Sequence, residues 1–150
     1  MSKLNLGGNM IVKRLKDTRE DLDLTQKQIG KLLKVTNSTV SGWETGKDTI
    51  PLKKLIIYCN KFEFTLDYIF GLTRKNNFST PIKIDLINIG NNIKNIRIKN
   101  NLTQEQLADI LNTDHALISY YENGLRLINT SFLYSIATKL NYSIDKIISQ

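Results

Sequence analysis

Leu24-Thr25-Gln26-Lys27-Gln28-Ile29-Gly30-Lys31-Leu32-Leu33-Lys34-Val35-Thr36-Asn37-Ser38-Thr39-Val40-Ser41-Gly42-Trp43-Glu44-Thr45-Gly46 decides the fold of this chain. Thr25-x-x-Gln28 is a capping box, in which the Thr side chain takes an orphan amide and the Gln reaches back. It opens a helix whose Ile29, Leu32 and Leu33 share one face. Lys34-Val35-Thr36 interrupts the period, and Thr36 is a good N-cap for a following helix. That helix ends at Gly46, the residue type that tolerates a left-handed stop. Val40 and Trp43 mark its inward face.

The same text returns 78 residues later, as Leu102-Thr103-Gln104 through Glu122-Asn123-Gly124. Without a gap, 11–71 aligns on 89–149, and 16 of the 61 pairs are identical. Among them are Arg19/Arg97, Leu24/Leu102, Gln26/Gln104, Ser41/Ser119, Glu44/Glu122, Gly46/Gly124 and Asp67/Asp145. A repeat this long is one small domain used twice, because a solenoid unit would be shorter and more numerous. Each copy is near the lower size limit for independent folding, so its core must be compact.

Working outward, Ile11, Leu15, Thr18 and Leu22 recur at helical spacing and predict a first helix over 9–21. Pro51 suits the first turn of a fourth helix with Leu52, Leu55, Ile56, Cys59 and Phe62 on one face. Residues 65–70 start a short fifth helix. The second copy follows with Phe132, Leu133, Ile136, Ala137 and Leu140, then 143–148. Residues 72–81 carry turn formers and charge without a period. The expected organisation is a first domain over 1–71, a linker over 72–86 and a second domain over 87–150. At ~3.3 Å per residue, ten linker residues reach about 33 Å. Nothing in the pattern suggests strands, so the fold class is all-α, with five helices in each copy.

Composition narrows the function. Net charge is +7 over 150 residues, which favours a polyanionic partner. Residues 1–78 hold 14 Lys/Arg against 8 Asp/Glu; residues 79–150 hold 7 against 6. Polyanion attraction should therefore sit mainly on the first copy, although Lys/Asn/Ile-rich usage also fits an AT-rich genome. One Cys and one His make neither a disulfide nor an ordinary zinc site, and Cys59 on an apolar face reads as core filler. No cofactor or metal is expected. No apolar run approaches the ~20 residues of a membrane span. The first nine residues lack a signal-peptide core, so a cytoplasmic location is expected.

Two short helices joined by a three-residue turn have the geometry of a helix-turn-helix. On Leu24-Thr25-Gln26 … Ile29-Gly30 … Leu33 … Val40-Ser41 … Trp43-Glu44 … Gly46 and its repeat, the chain resembles the phage-repressor and Cro-type (XRE-like) helix-turn-helix family, in two tandem copies. The resemblance implies a lambda-repressor-like domain whose third helix enters the DNA major groove. It also implies that Arg19 with Glu44, and Arg97 with Glu122, form structural ion pairs tying the first helix to the end of the third. Gly30 and Ala108 are small where the two motif helices cross.

Candidate DNA-binding residues come from three places. Gln26 and Gln104 start the second helix of each copy, where free amides favour a phosphate, and the resembled family uses this Gln on the backbone. In the first copy the outward face of the third helix is Thr36, Asn37, Ser38, Thr39, Ser41 and Gly42, small and uncharged as suits a helix deep in a groove. Asn pairs with adenine edges, while Ser and Thr reach several edges. Lys47, with Lys34, would position the backbone without specifying sequence. The second copy departs from this pattern. Asp114, His115, Ala116, Leu117, Ser119 and Tyr120 form its outward face, with Arg126 and Lys99 as backbone contacts. It reads either as a weaker reader of a different half-site or as a domain turned to protein.

These observations point to a sequence-specific regulator of transcription that binds double-stranded DNA, a repressor acting by promoter occupancy, with the first domain as main reader. Two recognition helices one turn apart, ~34 Å, could come from a homodimer or from an intramolecular pseudo-dimer. The competing reading is a protein-interaction module, antitoxin or anti-repressor in style, meeting a regulatory protein partner. An enzyme is not expected: there is no phosphate-cradling Gly loop, and the one His lies on a recognition helix.

Overall fold

The computed structural model describes residues 8–149, so the reading of residues 1–7 lies outside it. The described chain divides into two compact units, Asn9–Pro81 and residues 82–149 together with Gly8. The first contains α1 Leu15–Asp21, α2 Gln26–Leu33, α3 Asn37–Thr45, α4 Leu52–Phe62 and α5 Leu66–Ile69. The second contains α6 Leu86–Lys99, α7 Gln104–Leu111, α8 His115–Glu122, α9 Thr130–Leu140 and α10 Ile144–Ser149. Every regular element among the described residues is a helix.

Local chemistry sets the boundaries. Both capping boxes are formed: Thr25 and Thr103 accept from the amides of Gln28 and Gln106, whose side chains accept from the cap amides in return. Lys34 and Asn112 then turn the chain through left-handed backbone, at φ 61° and 58°. Thr36 and Asp114 cap the next helices from their side chains. Gly46 stops α3 at φ 86°. In the second unit α8 ends at Glu122 and Gly124 takes the left-handed position one residue beyond the cap; the amides of Leu125 and Gly124 donate back to Tyr120 and Tyr121. This is the Schellman arrangement that satisfies the last carbonyls of a helix. Pro51 stands just before α4, at its N-cap, and Asn129 takes that position with a side-chain cap in α9.

The two copies differ most at their first helices. Residues 9–14 are not helical, so the helix expected from residue 9 starts at Leu15. Tertiary hydrogen bonds compete for this segment. Met10 donates its amide to the Thr49 hydroxyl (2.8 Å), Arg14 donates its own to the Ile69 carbonyl (2.9 Å), and Asn9 reaches the Lys47 carbonyl. Ile11 is consequently 49% exposed. In the second unit the equivalent stretch is helical, making α6 14 residues long against 7 for α1. Gly90, which aligns with Val12, permits this close crossing: a Cβ there would clash with the Tyr121 carbonyl oxygen.

Each unit has its own core. Leu15, Ile29, Leu33, Val40, Trp43, Leu55 and Leu66 fill the first; Ile93, Leu107, Leu111, Ile118, Leu133 and Ile144 fill the second. Tyr58 is fully buried, and its hydroxyl pairs with that of Thr18 at 2.8 Å. Thr18 and Tyr58 align with Ile96 and Ile136, both buried, so the second copy has hydrocarbon where the first has a hydroxyl pair. The stretch expected as linker lies partly against the first unit. Asn76 accepts from the Thr65 amide and donates to the Glu63 carbonyl, and the Arg14 guanidinium donates to the Thr73 carbonyl.

Burial pushes the Tyr58 phenol up to about 12 from an ordinary 10.0. A pKa raised by folding gives stability that is complete below pH 10 and is lost as pH rises towards 12. Tyr58→Phe should cost about 1 kcal/mol at neutral pH and should flatten that alkaline loss. Denaturant unfolding of both proteins between pH 7 and 12 measures the two effects.

Candidate nucleic-acid interface

One carboxylate organises the helix-turn-helix face of each unit. Glu44, near the end of α3, takes two hydrogen bonds from Arg19 of α1, Nε to Oε2 at 2.6 Å and Nη2 to Oε1 at 2.9 Å. The same guanidinium donates through Nη1 to the Leu24 carbonyl at 2.7 Å, pinning the chain just before α2. Gln26, the first residue of α2, donates its amide to Glu44 Oε1 at 3.0 Å. The second unit repeats the set: Arg97 to Glu122 at 2.6 and 3.0 Å, Arg97 to the Leu102 carbonyl at 2.9 Å, and Gln104 to Glu122 at 3.1 Å. Both carboxylates are only 3% exposed at the side chain. Burial raises the Glu44 carboxyl, but the hydrogen bonds from Arg19 and Gln26 outweigh it and hold the group below the ordinary carboxylate range. The Arg19 guanidinium is pushed up by its hydrogen bonds to Glu44.

Gln26 and Gln104 are therefore tied inward through their amide nitrogens. Their second amide hydrogens and their oxygens remain for a ligand at the helix start.

On α3, Asn37 and Ser38 are exposed, and Thr39 and Ser41 are half-buried. The Thr36 hydroxyl accepts from the Thr39 amide at 3.2 Å and is linked to the hydroxyls of Thr39 (2.8 Å) and Ser38 (3.1 Å). Much of its hydrogen-bonding capacity is thus spent locally. Lys34 and Lys47 are exposed on either side of the helix in sequence. Gly42, read from the sequence as part of the outward face, is buried instead. The turn after α3 folds over it: the Asp48 amide donates to the Gly42 carbonyl at 3.2 Å, and a Cβ would meet the Asp48 carboxylate at 3.3 Å.

The second unit keeps this contact and changes its chemistry. Gly42 and Asp48 align with Tyr120 and Arg126, and the Arg126 guanidinium lies 4.7 Å from the centre of the Tyr120 ring. Tyr120 is 40% exposed, so the pair is presented outward. His115 and Ala116 are exposed beside it; Ser119 is half-buried and accepts from Asn123 at 3.2 Å. Four exposed lysines of the first unit, Lys27, Lys31, Lys34 and Lys47, become Glu105, Asp109, Asn112 and Leu125.

Trp43 and Tyr121, at 3% and 4% exposure, are core residues and not stacking platforms. Among the described residues no three His, Cys, Asp or Glu side chains come together to hold a metal ion, and no helix is long and apolar enough to cross a membrane.

Residues 15–69 and 93–147 each match the helix-turn-helix family. The chain belongs to this family. It is also similar to an uncharacterized HTH-type transcriptional regulator, YobD, of Bacillus subtilis (strain 168), at 33% identity over 64 residues. That similarity covers 43% of this chain and 57% of the relative, so the chain spans little more than half of that protein's length. In helix-turn-helix terms, α3 and α8 occupy the position of the recognition helix in each unit.

Sequence reasoning missed two features. The Gln-to-Glu link joins residues 18 apart that were assigned separate roles. The Tyr120–Arg126 pair joins two residues proposed singly. The 78-residue register was the available signal, since Gln26 and Glu44 recur together as Gln104 and Glu122.

Arg19→Met leaves the Glu44 carboxylate buried with Gln26 alone and should cost about 3 kcal/mol at pH 7. Because folding lowers the Glu44 pKa, the pair's contribution is complete above the ordinary value of 4.5 and is lost as pH falls through the folded value. The deficit of Arg19→Met relative to wild type should therefore shrink below pH 4. Urea unfolding of both proteins at pH 7 and pH 3.5 reads this directly.

Proposed function

We propose that this chain is a sequence-specific regulator of transcription that represses by occupying promoter DNA, with the first unit as its principal reader. The observation that carries the reading is the α3 surface: Asn37, Ser38 and Ser41 present small uncharged groups, held by the Glu44 tether and accompanied by the exposed Lys34 and Lys47. Such a face can approach base edges closely, with Asn37 suited to adenine. The lysines supply sequence-independent attraction to phosphates. Gln26, at the start of α2, sits where orphan amides favour a phosphate.

Dominance of the first unit is supported by the exchange of Lys27, Lys31, Lys34 and Lys47 for Glu105, Asp109, Asn112 and Leu125. The second unit then reads a different half-site more weakly, through His115, Ala116, Ser119 and the Tyr120–Arg126 pair. The two half-sites are supplied by a homodimer or by the two units of one chain. The similarity to an HTH-type transcriptional regulator agrees with this role.

A second reading has the exposed Tyr120 (40%) and Leu125 (66%) of the second unit meeting a protein partner. Salt separates the two. Binding through several phosphates weakens steeply with salt, and a mainly apolar contact does not.

On the duplex the full chain prefers, Asn37→Ala should cost about 1–3 kcal/mol and relax the preference at one base pair. Unchanged site preference would defeat that assignment. Lys47→Ala should weaken binding evenly across sequences and shallow the log–log salt slope by about one. Fluorescence anisotropy over a salt series measures both, and an intact slope would remove Lys47 from the phosphate contacts.

A further inference from the structure

The second unit carries a groove of about 320 Å³ between α6 and α10. This is near the low end for small-molecule sites. Ile96 and Ile147, both buried, form its floor. Its rim is made of hydrogen-bond donors. Lys99 and Lys146 are exposed, as is Asn95, the neighbour of Ile96 on α6. Tyr142 lines the same groove, and its hydroxyl accepts from Asn100 at 3.2 Å. The proton of that hydroxyl is thereby left to donate elsewhere. Asn92 braces the wall by donating to the Ile147 carbonyl at 2.9 Å.

In the first unit the same seam is bridged from within the chain. Asn92 and Lys146 align with Arg14 and Tyr68. The Arg14 guanidinium lies 4.3 Å from the Tyr68 ring centre and donates at 2.6 Å to the Tyr68 and Thr73 carbonyls, bridging the seam from within the chain. Phe64, at the place of Tyr142, stacks on Tyr68 at 5.8 Å and offers no hydroxyl. Asp17 and Asp21 stand where the second unit has Asn95 and Lys99. Between the copies the seam therefore loses its internal bridge and two carboxylates, gains one cation net, and moves its phenol from Tyr68 to Tyr142.

We propose that this groove binds a small molecule carrying a phosphate or carboxylate together with an apolar portion. Lys99, Lys146 and the Tyr142 hydroxyl take the anionic group, charge-assisted contacts being the strong ones, and Ile96 and Ile147 receive the apolar part. The groove is lined by α6, α10 and Tyr142, and of its residues only Lys99 was also read from the sequence as a DNA backbone contact. It would give the chain a place for an effector.

The test uses the full chain without DNA. Phenyl phosphate and inorganic phosphate are titrated at constant ionic strength, followed by amide NMR shifts and by thermal unfolding. Phenyl phosphate should bind more tightly than inorganic phosphate, raise the unfolding temperature, and shift the side-chain amides of Asn92 and Asn95. Lys99→Asp/Lys146→Tyr, which installs the first copy's residues, should weaken phenyl phosphate by roughly tenfold or more, while Lys99→Arg/Lys146→Arg should retain it. Shifts confined to the first unit, equal affinity in the Asp/Tyr variant, or no binding of either probe would each overturn the proposal. DNA binding plays no part in these readouts, so failure here leaves the regulator reading standing.

Discussion

The orientation of each helix-turn-helix rests on a single buried carboxylate. Glu44 is placed by α3, yet its oxygens are filled by Arg19 from α1 and Gln26 from α2. The guanidinium also donates through Nη1 to the Leu24 carbonyl, so the turn into α2 is held as well. A buried ion pair seldom adds net stability over a hydrophobic replacement, because desolvation offsets attraction. What it adds here is geometry. An angular change between α1, α2 and α3 would leave a charge in a site only 3% exposed. Helix α3 is thus fixed by directional bonds at one end and by core packing of Val40 and Trp43 along its length.

Having two copies in one chain separates what the fold needs from what each unit does with it. The Arg–Glu–Gln set, both capping boxes and the left-handed glycines recur. Around this shared frame the surfaces diverge in a coordinated way. Asp48 folded over a buried Gly42 becomes Arg126 stacked on an exposed Tyr120. Thr18 and Tyr58 become two isoleucines. Arg14 bridging a seam becomes an open groove edged by lysines. Each change replaces both sides of a contact, as expected where an unpartnered buried group is costly. The outcome is a polar, lysine-rich face on one unit and an aromatic, less positive face on the other.

Much of this was legible in the sequence because the deciding signals are local. Capping boxes, N-cap side chains and stop glycines act within four residues, and apolar spacing gives helix faces directly. The long-range pairing of Arg19 with Glu44 came from the resemblance to the helix-turn-helix family, and its recurrence as Arg97 and Glu122 supported it. The first helix was overextended because Ile11 sits at a helical spacing from Leu15, while the bonds that hold residues 9–14 out of a helix go to Thr49 and Ile69, far along the chain. Gly42 was misplaced for the same reason: helical geometry points it outward, and only the turn at Asp48 covers it. The donor-lined groove depends on α6 meeting α10, about 50 residues later, and no periodicity encodes that meeting.

The most direct measurement is a selection of random duplex DNA by the full chain at near-physiological salt, run in parallel with a variant in which Asn37, Ser38 and Ser41 are replaced by alanine. The account predicts that the wild-type chain enriches a defined motif and that the variant, still folded by circular dichroism, loses or blurs it. Failure of the wild type to enrich any sequence, or recovery of the same motif by both proteins, would contradict the assignment of α3 as the reading element.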